Sequence, residues 1–152
     1  MSERNWSPTF DPGRHRLIGV DSNVLIYLLE TTGPIADVAA RIVDAIDAGE
    51  TKAVLSAIGL VEILTGPARV GDAAAFELTA EALRDLPIRI VPLDGARAED
   101  AAWIRGSLGI GLEDAVHLAS ARDAGATAFI TNDRRMRSIP RLEVFYLDDL
   151  VA

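Results

Sequence analysis

The sequence predicts an α/β fold, with a central, mostly parallel sheet of about five strands between layers of helices. Two observations carry this. Short apolar runs of strand length alternate along the chain with segments whose apolar residues recur at helical spacing. Hydrophobic residues make up 49% of the 152 positions, enough for one sizeable core, and no repeat, linker or low-complexity stretch divides it.

Residues 1–15 read as a polar, flexible N-terminal extension and 16–152 as a single domain. "RLIGV" (16–20) is a buried strand, and "SNVLIYLLE" (22–30) a helix started by Ser22 or Asn23. Gly33-Pro34 ends that helix and opens another, with Ile35, Val38, Ala39, Ile42, Val43 and Ile46 on one face. "AVLS" (53–56) is the second strand, followed by a helix capped by Ser56 and stopped at Gly66-Pro67. Residues 71–86 form a helix, 88–93 the third strand and 95–109 a further helix. An Ala-rich helix (111–125) ends at Gly125 and leads into the strand "AFIT" (128–131). After the loop "NDRRMRSI" come a fifth strand (143–147) and a helical stub.

In parallel sheets, ligands gather beyond the carboxyl ends of the strands. Four acids fall there: Asp21 after the first strand, Glu62 in the helix after the second, Asp114 in the first turn of the Ala-rich helix and Asp133 after the fourth strand. Three of them have an ordinary reading of their own. Asp21 could cap a helix, Asp114 could answer a helix dipole, and Asp133 could shape a turn. Glu62 fits no such reading, because "AIGLVEIL" is apolar on nearly every side. Carboxylates gathered on one rim raise each other's pKa unless a cation neutralises them. With no Cys and no His pair, oxygen ligation suits Mg²⁺ or Mn²⁺ rather than zinc.

Composition removes other classes. The lack of Cys rules out disulfides, iron–sulfur clusters and thiolate zinc, and makes a cytoplasmic setting the expectation. A net charge of −8 argues against a broad basic face for nucleic acid. The basic charge is nevertheless concentrated in "RRMRSIPR", where Arg134, Arg135 and Arg137 are candidates for holding RNA phosphates. His117 reads as a packed, hydrogen-bonded histidine, and Trp103 and Phe76 as core or dimer contacts.

"VDSNVLIYLL", "SAIGLVEIL", "LEDAVHLASA" and "FITNDRRM", in that order and spacing, resemble the four acidic motifs of the PIN domain, most closely VapC-type toxin ribonucleases. The resemblance spans residues 17 to 147. It implies an α/β/α sandwich and a Mg²⁺- or Mn²⁺-dependent endoribonuclease, the toxin of a toxin–antitoxin pair. Asp21, Glu62, Asp114 and Asp133 would form the acidic quartet, with Asp21 and Asp114 the leading metal ligands. Thr131 would orient a carboxylate or water, and water attack would leave 5′-phosphate and 3′-hydroxyl ends. A cognate antitoxin and a homodimer are implied as well, with the helices of 57–86 the candidate partner-facing clamp. Glu113, beside Asp114, leaves open which acid faces the site.

Two other readings stand beside this one. A receiver or phosphatase built on an Asp nucleophile needs a late Lys or a D-x-D triplet, whereas the only Lys is Lys52 and the triplet is Asp21-Ser22-Asn23. A non-catalytic module with the same fold would not require four acids.

Overall fold

Five parallel strands form the sheet of the computed structural model, which describes residues 10–151. They are β1 (Leu17–Val20), β2 (Lys52–Ser56), β3 (Ile88–Val91), β4 (Ala128–Thr131) and β5 (Glu143–Tyr146), in spatial order β3-β2-β1-β4-β5. The helices are α1 (Ser22–Glu30), α2 (Pro34–Asp47), α3 (Ala57–Val70), α4 (Ala73–Asp85), α5 (Gly95–Leu108), α6 (Leu112–Asp123) and α7 (Leu147–Leu150). The expected α/β architecture is present. Among the described residues no helix is long and apolar enough to cross a membrane.

Strand alternation divides the core in two. Ile18, Val20, Leu55 and Ile130 pack with Val24, Ile42 and Leu147 on one face. Phe129 and Val144 pack with Val116, Leu118 and Met136 on the other. Gly19, in the central strand, lets α6 approach the second face: a Cβ there would lie 2.6 Å from Ala121 Cβ and 2.8 Å from Phe129 Cδ2. Neither neighbour is a flexible chain end. Gly19→Ala is therefore expected to cost about 1–3 kcal/mol of stability by overpacking, measurable as a lower urea midpoint with an unchanged slope.

The strand order reverses at β1 and β4. From β1 the chain steps outward to β2 and β3, whereas β4 and β5 lie on the other side. Such a switch point opens a crevice at the carboxyl ends of the two central strands. Asp21 follows β1 and Thr131 ends β4, so both stand at that crevice.

Three expectations need correction. Positions 1–9 lie outside the described residues, but 10–15 do not behave as a polar extension. Phe10 is 2% exposed, its ring centroid 4.8 Å from that of Phe145, and Asp11 caps a 3-10 turn at Pro12–Arg14. A single apolar residue in a polar run has no periodicity to announce it. Next, α3 does not stop at Gly66-Pro67 but runs on to Val70. Pro67 forgoes only one helical hydrogen bond, and the helix ends where Gly71 takes a left-handed φ of 73°. Asp72 then caps α4 through Ala75 N at 3.0 Å. Finally, Trp103, read as a core or dimer contact, is 78% exposed on α5, which excludes the core alternative and not the dimer one.

Candidate metal centre and active site

Asp21 is 5% exposed, and a buried carboxylate needs partners. It occupies the N-cap position of α1, yet its side chain caps nothing. Its oxygens instead accept from Thr131 Oγ1 at 2.7 Å, Ser22 Oγ at 3.3 Å and Asn23 Nδ2 at 3.3 Å. Ser22 and Asn23, expected to start the helix, thus turn their side chains to this carboxylate. Asn23 Oδ1 also accepts from the Asn132 backbone N–H at 3.2 Å, which ties the end of β4 to the start of α1.

From the other face of the crevice comes His117, 1% exposed on α6. Its Nε2 lies 2.5 Å from Glu62 Oε1 and 3.5 Å from Asp21 Oδ1. Burial pushes the imidazole pKa down, but the hydrogen bond to Glu62 and the charges of Asp21, Glu62 and Asp114 outweigh burial and hold it above the ordinary value. Burial pushes Glu62 up, while the bond and charge of His117 and a bond from Ser22 bring it net below. A histidine expected to pack and hydrogen-bond therefore sits between two site acids, with Nε2 toward both. The sequence carried one sign of this, since His117 lies three residues after Asp114 and so on the same side of the helix.

Asp114 is half-buried and Glu113 exposed, both in the first turn of α6. Burial, then the negative charges of Asp133 and Asp21, raise the Asp114 carboxyl above the ordinary range, against weaker pulls from Arg135 and His117. Asp114 is thus the acid in electrostatic contact with the site. Asp133 is held differently. Its Oδ1 accepts from the backbone N–H of Arg135 at 2.9 Å and from Arg135 Nε at 3.0 Å, and its Oδ2 from Nη2 at 2.9 Å. The arginine's hydrogen bonds hold the Asp133 carboxyl below the ordinary range. Thr131 Oγ1 accepts from the Asp133 N–H at 2.9 Å while donating to Asp21. One buried hydroxyl therefore sets the spacing between two of the acids.

A cleft of about 510 Å³ opens beside these acids, lined by Gly109, Gly111, Asp114 and the three arginines. Arg134 makes a two-point contact with Asp149 and lies 4.4 Å over the Tyr146 ring. Arg137 donates to the Leu108 carbonyl. Lys52, by contrast, pairs in register with Leu17 at the opposite end of β1 from Asp21. That position leaves no lysine for a receiver-type site.

The gathered donors could hold a metal ion. Asp21, Glu62 and His117 each offer an atom within 4.8 Å of the others. Burial, and after it the charges of Asp133 and Asp21, disfavours the ionised form of Asp114 beside them, and a cation would offset the charges. With its Nε2 committed to Glu62, His117 fits the part of orienting a ligand better than that of being one.

A family model for the PIN domain matches residues 18–142. Among solved structures, the chain is similar to VapBC2 from Rickettsia felis bound to a promoter DNA fragment, with a TM-score of 0.70 at 16% identity over 86% of this chain and 98% of that one. It is similar to a toxin–antitoxin complex from Klebsiella pneumoniae, with a TM-score of 0.64 at 23% identity over 82% and 94%. A third is VapC20 of Mycobacterium tuberculosis, a sarcin-ricin loop cleaving toxin, with a TM-score of 0.57 at 20% identity over 74% and 86%. At these identities the likeness is one of fold. No curated protein matches the chain at comparable stringency.

Proposed function

The chain belongs to the PIN-domain family, and from that premise we propose that it is a Mg²⁺- or Mn²⁺-dependent endoribonuclease, the toxin of a toxin–antitoxin pair. The observation that carries the reading is the gathering of Asp21, Glu62 and His117 at the switch point, with Asp114 within electrostatic reach. A site designed only to be stable would not bury Asp21 next to two further acids. Asp21, Glu62, Asp114 and Asp133 would hold the ion. When bound, it would polarise the scissile phosphate and lower the pKa of the attacking water.

The protein's own residues supply the frame. Thr131, Ser22 and Asn23 fix Asp21, and His117 fixes Glu62 by donating from Nε2. These contacts fix Asp21 and Glu62 before any ion binds, which is the preorganisation that electrostatic catalysis requires. The arginine-lined cleft, opening on Asp114, is suited to the flanking RNA phosphates.

The partner reading rests on α3 and α4. Between them and β3, the edge strand of the sheet, lies an apolar groove of about 470 Å³ lined by Leu60, Leu64, Leu83, Ile88 and Ile90, with Val61 and Leu78 exposed on the same two helices. An antitoxin segment would cover it, and solved structures of similar fold include toxin–antitoxin complexes. A homodimer and a cytoplasmic setting belong to the same proposal.

The direct test is incubation of the purified protein with RNA in Mg²⁺, in Mn²⁺ and in EDTA. Internal cleavage is expected with either ion and none in EDTA, and Asp114→Asn is expected to lower the rate by at least about tenfold. Cleavage that persists in EDTA would contradict metal dependence. No cleavage under any condition would favour a non-catalytic module.

A further inference from the structure

We infer that the chain carries a second ligand site, a cavity at the amino-terminal ends of β1, β2 and β3 that takes a nucleoside polyphosphate. Arg16, Lys52 and Arg89 hold the phosphates. The site stands apart from the four acids and does not rest on the nuclease reading.

The cavity measures about 810 Å³, larger than the cleft beside Asp114 or the groove of α3 and α4. Sites for small molecules have volumes of this order. The length of β1 separates it from the acids, since Asp21 follows the last residue of that strand and Lys52 pairs with the first, Leu17.

Its charge is out of keeping with the chain. Acids outnumber bases by 23 to 15, yet three bases and no acid line this cavity. Arg97, Arg134 and Arg135 are each paired with an aspartate. Among the described residues, the side chains of Arg16, Lys52 and Arg89 make neither an ion pair nor a hydrogen bond.

Their roots are fixed by the sheet. The Lys52 N–H donates to the Arg16 carbonyl at 3.2 Å, which holds these two residues side by side. Arg89 pairs in register with Val54, two residues after Lys52, so Arg89 and Lys52 leave the same face of adjacent strands.

The carboxyl ends of α2 and α6 border the cavity, and such ends attract cations by themselves. Here the backbone already serves them. The Ile46 and Ala45 carbonyls accept from the Gly49 and Glu50 N–H groups, each at 3.0 Å. In α6 the Ala121 and Arg122 carbonyls accept from Ala126 at 3.0 Å and Gly125 at 2.9 Å. The three cations are thus left for a ligand.

Leu17, Ile46 and Pro87 give the cavity an apolar wall. A small inorganic anion would leave that wall uncovered. Cations beside an apolar wall match a molecule with several charges at one end and a flat, weakly polar body at the other. A nucleoside polyphosphate has that form, with arginine suited to two-point phosphate contact and lysine to a point charge.

Calorimetric titration of ATP into the full-length protein in EDTA tests this, since no bound cation then draws phosphates to the acids. Saturable binding of one ATP per chain is expected. Lys52→Ala and Arg89→Ala should each weaken it by about 10- to 100-fold, and Arg135→Ala should leave it unchanged. Lys52→Arg and Arg89→Lys, which keep the charge, should recover part of the loss. Inorganic triphosphate should bind at least about tenfold more weakly than ATP, for want of the apolar contact. The variants should melt with the wild type, because all three side chains are exposed.

A wild type that binds no ATP, or equal binding in Lys52→Ala and Arg89→Ala, would overturn the inference. Triphosphate that binds as tightly as ATP would remove the nucleoside from it. A short single-stranded oligoribonucleotide that displaces ATP would make the cavity an RNA contact and overturn it as well.

Discussion

Asp21→Asn is expected to lower kcat/KM for RNA cleavage in Mg²⁺ or Mn²⁺ by on the order of 10³ or more while leaving the fold in place. The size follows from the work asked of the ion, since a bound divalent cation supplies several kcal/mol of charge stabilisation and each tenfold in rate is about 1.4 kcal/mol. The fold should survive because the hydrogen bonds to Asp21 come from Thr131, Ser22 and Asn23, side chains of which two belong to the same helix start. Asparagine fills the same volume and can still accept one of those bonds. It also removes a negative charge beside Asp114, whose carboxyl that charge already pushes up. The stability change in the metal-free protein should stay within about 1 kcal/mol. Steady-state kinetics on a defined RNA, with a denaturant melt of the same preparation, checks both halves. A variant that cleaves near the wild-type rate would remove Asp21 from the mechanism.

His117→Ala should give the largest loss of stability, about 3–5 kcal/mol in the metal-free protein. The ring is 1% exposed and meets Glu62 at 2.5 Å and Asp21 at 3.5 Å. Truncation leaves a cavity against Phe129 and Gly59 and takes away the imidazole that lies between Glu62 and Asp21. The pH dependence identifies the electrostatic share. A histidine raised above its ordinary 6.5 contributes stability that is fully present below that value and lost as pH rises through the higher folded value. Glu62, lowered from 4.5, contributes stability that is present above 4.5 and lost as pH falls through its lower folded value. The pair is therefore strongest between those limits, and metal-free stability should fall as pH rises past neutrality. His117→Gln should flatten the alkaline side of that profile. Urea midpoints in EDTA from pH 5 to pH 9 would measure it, and a slope unchanged in His117→Gln would assign the dependence to another group.

The sheet was legible in the sequence because its strands are short apolar runs bounded by Gly, Pro and capping residues, and the helices between them imply parallel pairing. Asp21 was legible for a similar reason: a charge ending an apolar run needs a cause. What the sequence hid depends on contacts between distant segments. Phe10 finds Phe145 and His117 finds Glu62, and neither partner can be read from local periodicity. The arginine loop was visible as charge, but charge alone does not say that Arg134 fastens α7 while Arg135 faces the cleft. The bonds that tie Asp133 to Arg135, two residues on, are likewise set by the folded loop rather than by periodicity.

The account rests on Asp21 being buried in order to face a cation. Calorimetric titration of Mn²⁺ into the metal-free wild type and Asp21→Asn, with melts run in parallel, tests this most directly. Saturable binding to the wild type, absent from an Asp21→Asn protein that melts normally, is the predicted result. Equal Mn²⁺ affinity in the two proteins would contradict it and return Asp21 to a purely structural role.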